Sequence, residues 1–301
     1  MPVAVRMLVG GLVVAALSSW LAVGSTIAAP TSKTVVPAPS ASSDRAQLER
    51  LQGFTTVVVN HLDDAMGSEQ LPTADGGGIE AGMLVTATLD GVEIFDRRVA
   101  PLQQGRVVDT TIAAECQSSC PAVLYDAFGR SWLESAVEST SFAVEIPTRV
   151  LLAAHRELPA ATLLQVAYAV AETRPVQPPQ LALLVSNTRG SLRALTFFLV
   201  PPRGLELRQG SAALGLTIKV SPGQYHVTAT DPRYARDHQV AALGSLGALA
   251  REIKKRYPSK ETVILVPGEG VTVRELVDVA AAVQDSFPRV VLSAGQELRT
   301  P

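Results

Sequence analysis

Cys116 and Cys120 are the only cysteines in the 301-residue chain, and their close spacing suits a disulfide closing a small loop in an oxidising compartment. Two free thiols are the alternative. A Cys-x-x-Cys redox motif does not fit, since three residues lie between them. Metal binding is the weakest reading, because no His or further Cys stands nearby to complete a tetrahedral set. His61, His155, His226 and His238 are scattered and form no His-x3-His pair. They read as surface or turn residues, so no metal and no other cofactor is expected. No Gly-x-Ser-x-Gly elbow is present, and nothing concentrates the polar groups that hydrolysis would need. Gly268-Glu269-Gly270 precedes a helix as an anion-binding turn would. Glu269 would repel an anion, so the segment reads as a turn. Arg251, Lys254, Lys255, Arg256 and Lys260 gather at one helix end. Cations there complement the helix dipole on a solvated face; the functional reading of the same cluster is a patch for an acidic partner or acidic cell-wall glycans.

The elements that must position these groups begin after a targeting segment. Arg6 precedes a stretch, residues 7–29, without charge and rich in Leu, Val, Ala and Gly. Small residues at Thr26, Ala28 and Ala29 suit signal peptidase. The stretch is also just long enough to span a bilayer uncleaved, since roughly 20 residues are needed. Either way a periplasmic location is expected, with membrane contact only through 7–29. A net charge of −2 gives no global field to recruit nucleic acid. At 47% hydrophobic and 18% charged, the chain supports sizeable cores and about two domains. Residues 30–81 read as a linker and short lead-in segment. Within it, 44–64 reads as a short helix running into the β-branched run 55–60, and the Gly-rich 73–78 reads as a flexible joint.

Two stretches then share one order of elements. In the second, 211–297, Leu-Thr-Ile-Lys-Val (216–220) and Tyr225–Thr230 flank a Pro-Gly turn as a hairpin. An apolar-striped helix over 240–257 follows, then the strand Thr-Val-Ile-Leu-Val (262–266), a second helix and the strand 290–293. Thr272 with Glu275 forms a capping box at the start of the second helix. In the first stretch, 82–200, a hairpin turns at Asp90-Gly91. A helix at 121–137, a strand Phe-Ala-Val-Glu-Ile (142–146), a helix and the strand 181–185 come next. Leu163, Val166, Ala167, Ala169 and Val170 recur as Leu276, Val279, Ala280, Ala282 and Val283. This is the pattern of an internal repeat. The expected fold is α+β: two tandem modules, each a mixed sheet with two helices packed on it. The two copies are expected to pair within one chain, held at high effective concentration by a short linker.

The second copy resembles the periplasmic domain of the ExbD/TolR biopolymer-transport family. The resemblance is carried by Leu216-Thr217-Ile218-Lys219-Val220, the Pro-Gly hairpin, residues 249–255 leading into Tyr257-Pro258, and Val263-Ile264-Leu265-Val266-Pro267. It continues through the helix 276–287 and Arg289-Val290-Val291-Leu292-Ser293 with Gly295. It implies work beside a proton-driven envelope motor, by binding a motor or transport membrane protein or peptidoglycan. Family members carry a membrane aspartate that takes up protons. Residues 7–29 contain no Asp or Glu, so proton conduction is not carried over. The expected function is non-enzymatic accessory work in such a system. The alternatives are a periplasmic hydrolase or transferase and a structural peptidoglycan-binding protein.

Overall fold

A computed structural model describes residues 41–95, 97–114, 120–142, 148–173, 179–206, 213–230, 234, 237–296, 298 and 299. Residues 7–29 and Cys116 lie outside them. Helix α1 (Ala41–Ala65) leads into β1 (Met83–Ala87), β2 (Gly91–Ile94), β3 (Arg97–Gln103) and β4 (Arg106–Val107). Helix α2 (Ala122–Phe142), β5 (Arg149–Ala154), α3 (Ala160–Glu172), β6 (Gln180–Ser186) and β7 (Leu192–Leu199) complete a first half. After β8 (Leu205–Glu206) the second half comprises β9 (Ala213–Ser221), β10 (Gln224–Ala229), β11 (His238–Val240), α4 (Leu243–Arg256), β12 (Thr262–Pro267), α5 (Val273–Gln284) and β13 (Arg289–Leu292). Strand β14 (Leu298–Arg299) pairs with β8.

The α+β class holds, but the two halves do not form separate sheets. They share one 12-stranded mixed sheet of order β11-β10-β9-β12-β13-β7-β6-β5-β1-β2-β3-β4. Strand β7, which has no counterpart among the described residues of the second half, makes the join: it runs antiparallel to β6 and parallel to β13. The parallel set β1, β5, β6 therefore points opposite to β9, β12, β13. The described residues from Ser42 onward form one compact unit.

The pairings of one half recur in the other, residue for residue. Val85↔Ile94 and Thr86↔Glu93 correspond to Ile218↔Val227 and Lys219↔His226. Val85↔Leu152 corresponds to Leu265↔Ile218, and Val150↔Leu181 to Val263↔Val290. Flanking hydrogen bonds recur too: His155 N–H donates to Ala87 O at 2.9 Å, and Gly268 N–H to Val220 O at 2.7 Å. The shift that relates Val150 to Val263 also relates Pro159 to Thr272, the N-caps of α3 and α5. These two residues form an antiparallel bridge with each other. Ala160 N–H donates to Val271 O and Val273 N–H to Leu158 O, both at 2.8 Å. Such reciprocity is what an approximate two-fold axis requires.

Helices α2 to α5 cover one face of the sheet. Leu124, Phe128, Leu163 and Val166 join Leu246, Ile253, Leu276 and Phe287 in one buried cluster with Val85, Leu152, Ile218 and Leu265. The opposite face of the first half is covered by α1, whose Val58 and Leu62 pack on Leu84, Leu151, Leu184 and Ala194. This packing explains two corrections. The run 55–60 is helical, because burying Phe54, Val58 and Leu62 on one stripe outweighs the mild helix aversion of β-branched residues. The strand placed at 142–146 is instead β5: Phe142 ends α2, residues 143–147 lie outside the described residues, and Val150–Ala154 is apolar throughout because both its faces are buried.

Residues 73–78 are a strap rather than a joint. Thr73 bridges Ser186, and Gly77 N–H donates to Ala194 O at 2.9 Å. At Gly76 a Cβ would stand 2.8 Å from Ala194 O, so glycine permits the close approach. The helix placed from residue 240 starts at Leu243, because His238–Val240 adds to the sheet edge as β11. The Thr272–Glu275 capping box is present.

Candidate functional site

The hairpin of β9 and β10 fixes a row of side chains through its register. Lys219 stands opposite His226, and His226 opposite Gln239 of β11. Alternation along a strand sends Leu216, Ile218 and Val220 to the core. Lys219, Ser221, Gln224 and His226 therefore point to the other face, with Gln239 beside them. They line a concavity of about 250 Å3 together with Tyr225, Val240 and Ala241. The His226 imidazole is held through Nε2 by the Asp237 carboxylate. Lys219 is exposed and has no hydrogen-bond or ion-pair partner among the described residues.

The two-fold relation gives this row an internal reference. Its equivalents in the first half are Thr86, Glu93 and Arg98. Thr86 is fully buried, and Arg98 is folded onto the Asp90 carbonyl oxygen. The position of Lys219 is thus a fully buried threonine in one half and an exposed lysine in the other. Sequence reading singled out His226 only as a scattered histidine and passed over Lys219 as a functional residue. The signal was legible: once the Pro-Gly hairpin sets the register, Lys219 and His226 are cross-strand neighbours.

The members of the cationic cluster named from sequence differ in exposure. Arg251, Lys255 and Arg256 are exposed on α4. Lys254 is half-buried: its ammonium donates to Lys260 O at 2.7 Å and lies 5.9 Å from the centre of the Phe287 ring. Lys254 therefore ties α4 to the loop that follows it, and reversing its charge would disturb the fold as well as any patch. Cys120 is fully buried and disulfide-bonded. Among the described residues no group of three His, Cys, Asp or Glu side chains could hold a metal ion. Gly268-Glu269-Gly270 is a turn, with Gly270 at φ +79°.

Two further groupings have perturbed chemistry. Around the N-terminus of α5, burial pushes the Asp278 carboxyl up, opposed by Arg274. Burial also raises the Tyr225 phenol, reinforced by Glu275 and Asp278. Arg274 Nη1 pairs with Glu157 at 3.2 Å across the two-fold axis, and burial lowers the nearby His155. The second grouping is a cavity of about 420 Å3 between α3 and the β6–β7 pair, lined by Tyr168, Leu181, Phe197 and Val200, with Glu172 at its edge. The Tyr168 hydroxyl donates to Val200 O at 2.7 Å and lies 3.0 Å from Gln296 Oε1. Burial raises both the Tyr168 phenol and the Glu172 carboxyl, the latter opposed by Arg203. Neither grouping joins a nucleophile to a base, the first requirement of covalent catalysis.

No protein-family model matches the chain, and no curated protein matches it. Among the described residues, no helix is long and apolar enough to cross a membrane.

Proposed function

We propose that the chain is an exported, non-enzymatic envelope protein, an accessory of a proton-motive-force-driven biopolymer transport or motor system that acts by binding a partner protein or the cell wall. In this reading two ExbD/TolR-like modules have been fused into an internal pair, the first serving as scaffold and the second presenting the binding surface. The observation that carries the reading is the repeated register around Pro159 and Thr272. The reading takes the two halves as copies paired within one chain, and the reciprocal hydrogen bonds of Ala160 and Val273 support it. The exchange of Thr86, Glu93 and Arg98 for Lys219, His226 and Gln239 supports placing the binding surface on the second half.

Pull-down from a detergent-solubilised envelope extract tests this. The chain should capture a motor-type membrane protein or sediment with peptidoglycan, and Lys219→Glu should reduce capture at least fivefold. Capture of neither would sink the reading, and so would turnover of an ester, amide or glycoside substrate abolished by a point substitution.

A further inference from the structure

The concave row on β9, β10 and β11 has a chemistry of its own. Four donors converge on it from one sheet face: the Lys219 ammonium, the Ser221 hydroxyl and the Gln224 and Gln239 amides. None of the described lining residues is a carboxylate, and the nearby Asp237 is engaged by His226. Lys219 is the one lysine among the lining residues, and no arginine joins it there. One charge surrounded by neutral donors matches a monoanion. A phosphate would bring about two negative charges to that single cation, without the multiple cations that phosphate sites recruit. The volume, about 250 Å3, falls below the roughly 300–1,000 Å3 of sites that enclose whole small molecules. It suits the end of a chain rather than an entire ligand.

We infer that this row is a carboxylate-binding site, which takes the free carboxylate of a peptide chain end or an acidic side chain. The inference rests on the proposed binding role of the second half and names the chemistry it reads. Lys219 supplies the charge, Gln239 and Gln224 supply amide donors that set orientation, and the Asp237 contact holds the His226 imidazole in the lining. The site is half-open, so its charge acts in a well-hydrated setting and single-group affinity is modest, on the order of millimolar. Tighter binding would come from the remainder of the partner.

The test is titration of the full chain by NMR with four probes: N-acetylglycine for a chain end, N-acetylaspartic acid α-amide for a side chain, N-acetylglycinamide as the uncharged control, and inorganic phosphate. One or both carboxylates should shift the Lys219, His226 and Gln239 resonances saturably, and the one that does identifies the source. Lys219→Met should weaken that binding at least fivefold, whereas Lys255→Met, an exposed lysine on α4, should leave it unchanged. Unchanged resonances elsewhere would show that Lys219→Met still folds. The assignment is overturned if N-acetylglycinamide or phosphate binds as well as the carboxylates, or if Lys219→Met has no effect. Envelope capture persisting in that case would leave the broader reading standing without this ligand chemistry.

Discussion

Phe287→Ala should lower the unfolding free energy by about 3–5 kcal/mol, the range for truncating a fully buried aromatic. Phe287 has no exposed surface and lies just beyond α5, beneath the Lys254 ammonium. Truncation removes its packing and strips Lys254 of the ring that helps to hold it. The distribution of the loss is as telling as its size. Because Phe287 belongs to the same buried cluster as Phe128 and Leu163 of the first half, unfolding should remain one cooperative transition at a lower midpoint. Chemical denaturation followed by hydrogen exchange would show this: protection in β5 and β6 should fall together with protection in β12 and β13. Two transitions, of which only the second moved, would mean that the halves fold independently.

Leu62→Asp should be at least as damaging, by about 4 kcal/mol or more, because it places a carboxylate without a partner in an apolar site. Leu62 is fully buried between α1 and the sheet, against Leu71, Leu84, Leu151 and Leu184. Val57→Asp is the internal control: Val57 lies on the same helix but is 59% exposed, so its replacement should change stability by no more than about 0.5 kcal/mol. Equal effects of the two in a denaturant titration would mean that α1 does not seal this face. A fragment beginning at residue 78 would lose the same cover and should aggregate.

The second half was largely legible from sequence because its signals are local. The capping box at Thr272 and Glu275, the Pro-Gly turn and the β-branched run 262–266 each specify a structure within a few residues. The first half was harder where long-range packing decides the outcome. Helix α1 becomes apolar on one stripe only when the sheet face beneath it is known, and β5 was hidden because a run buried on both faces has no period to read. The short edge strand β11 is fixed by three residues pairing with β10 rather than by its own composition. At the site, residue types alone made Lys219 one lysine among several. Only the register, set against the equivalent Thr86, distinguishes it. Conversely, the basic run at the end of α4 was conspicuous in sequence, yet the fold half-buries Lys254 and bonds it to the loop after the helix.

The meeting of the two halves about a shared axis is tested most directly by a cross-link at that axis. Pro159 and Thr272 are opposed between the reciprocal hydrogen bonds of Ala160 and Val273. This is the non-hydrogen-bonded arrangement, with Cα atoms about 4.5 Å apart, within the range that a disulfide spans. The variant carrying Pro159→Cys and Thr272→Cys, oxidised at low concentration and digested, should yield by mass spectrometry a peptide pair linked through positions 159 and 272 of a single monomeric chain. Linkage only between two chains, or both cysteines left reduced while the protein is folded, would contradict the internal pairing and the fused-module reading built on it.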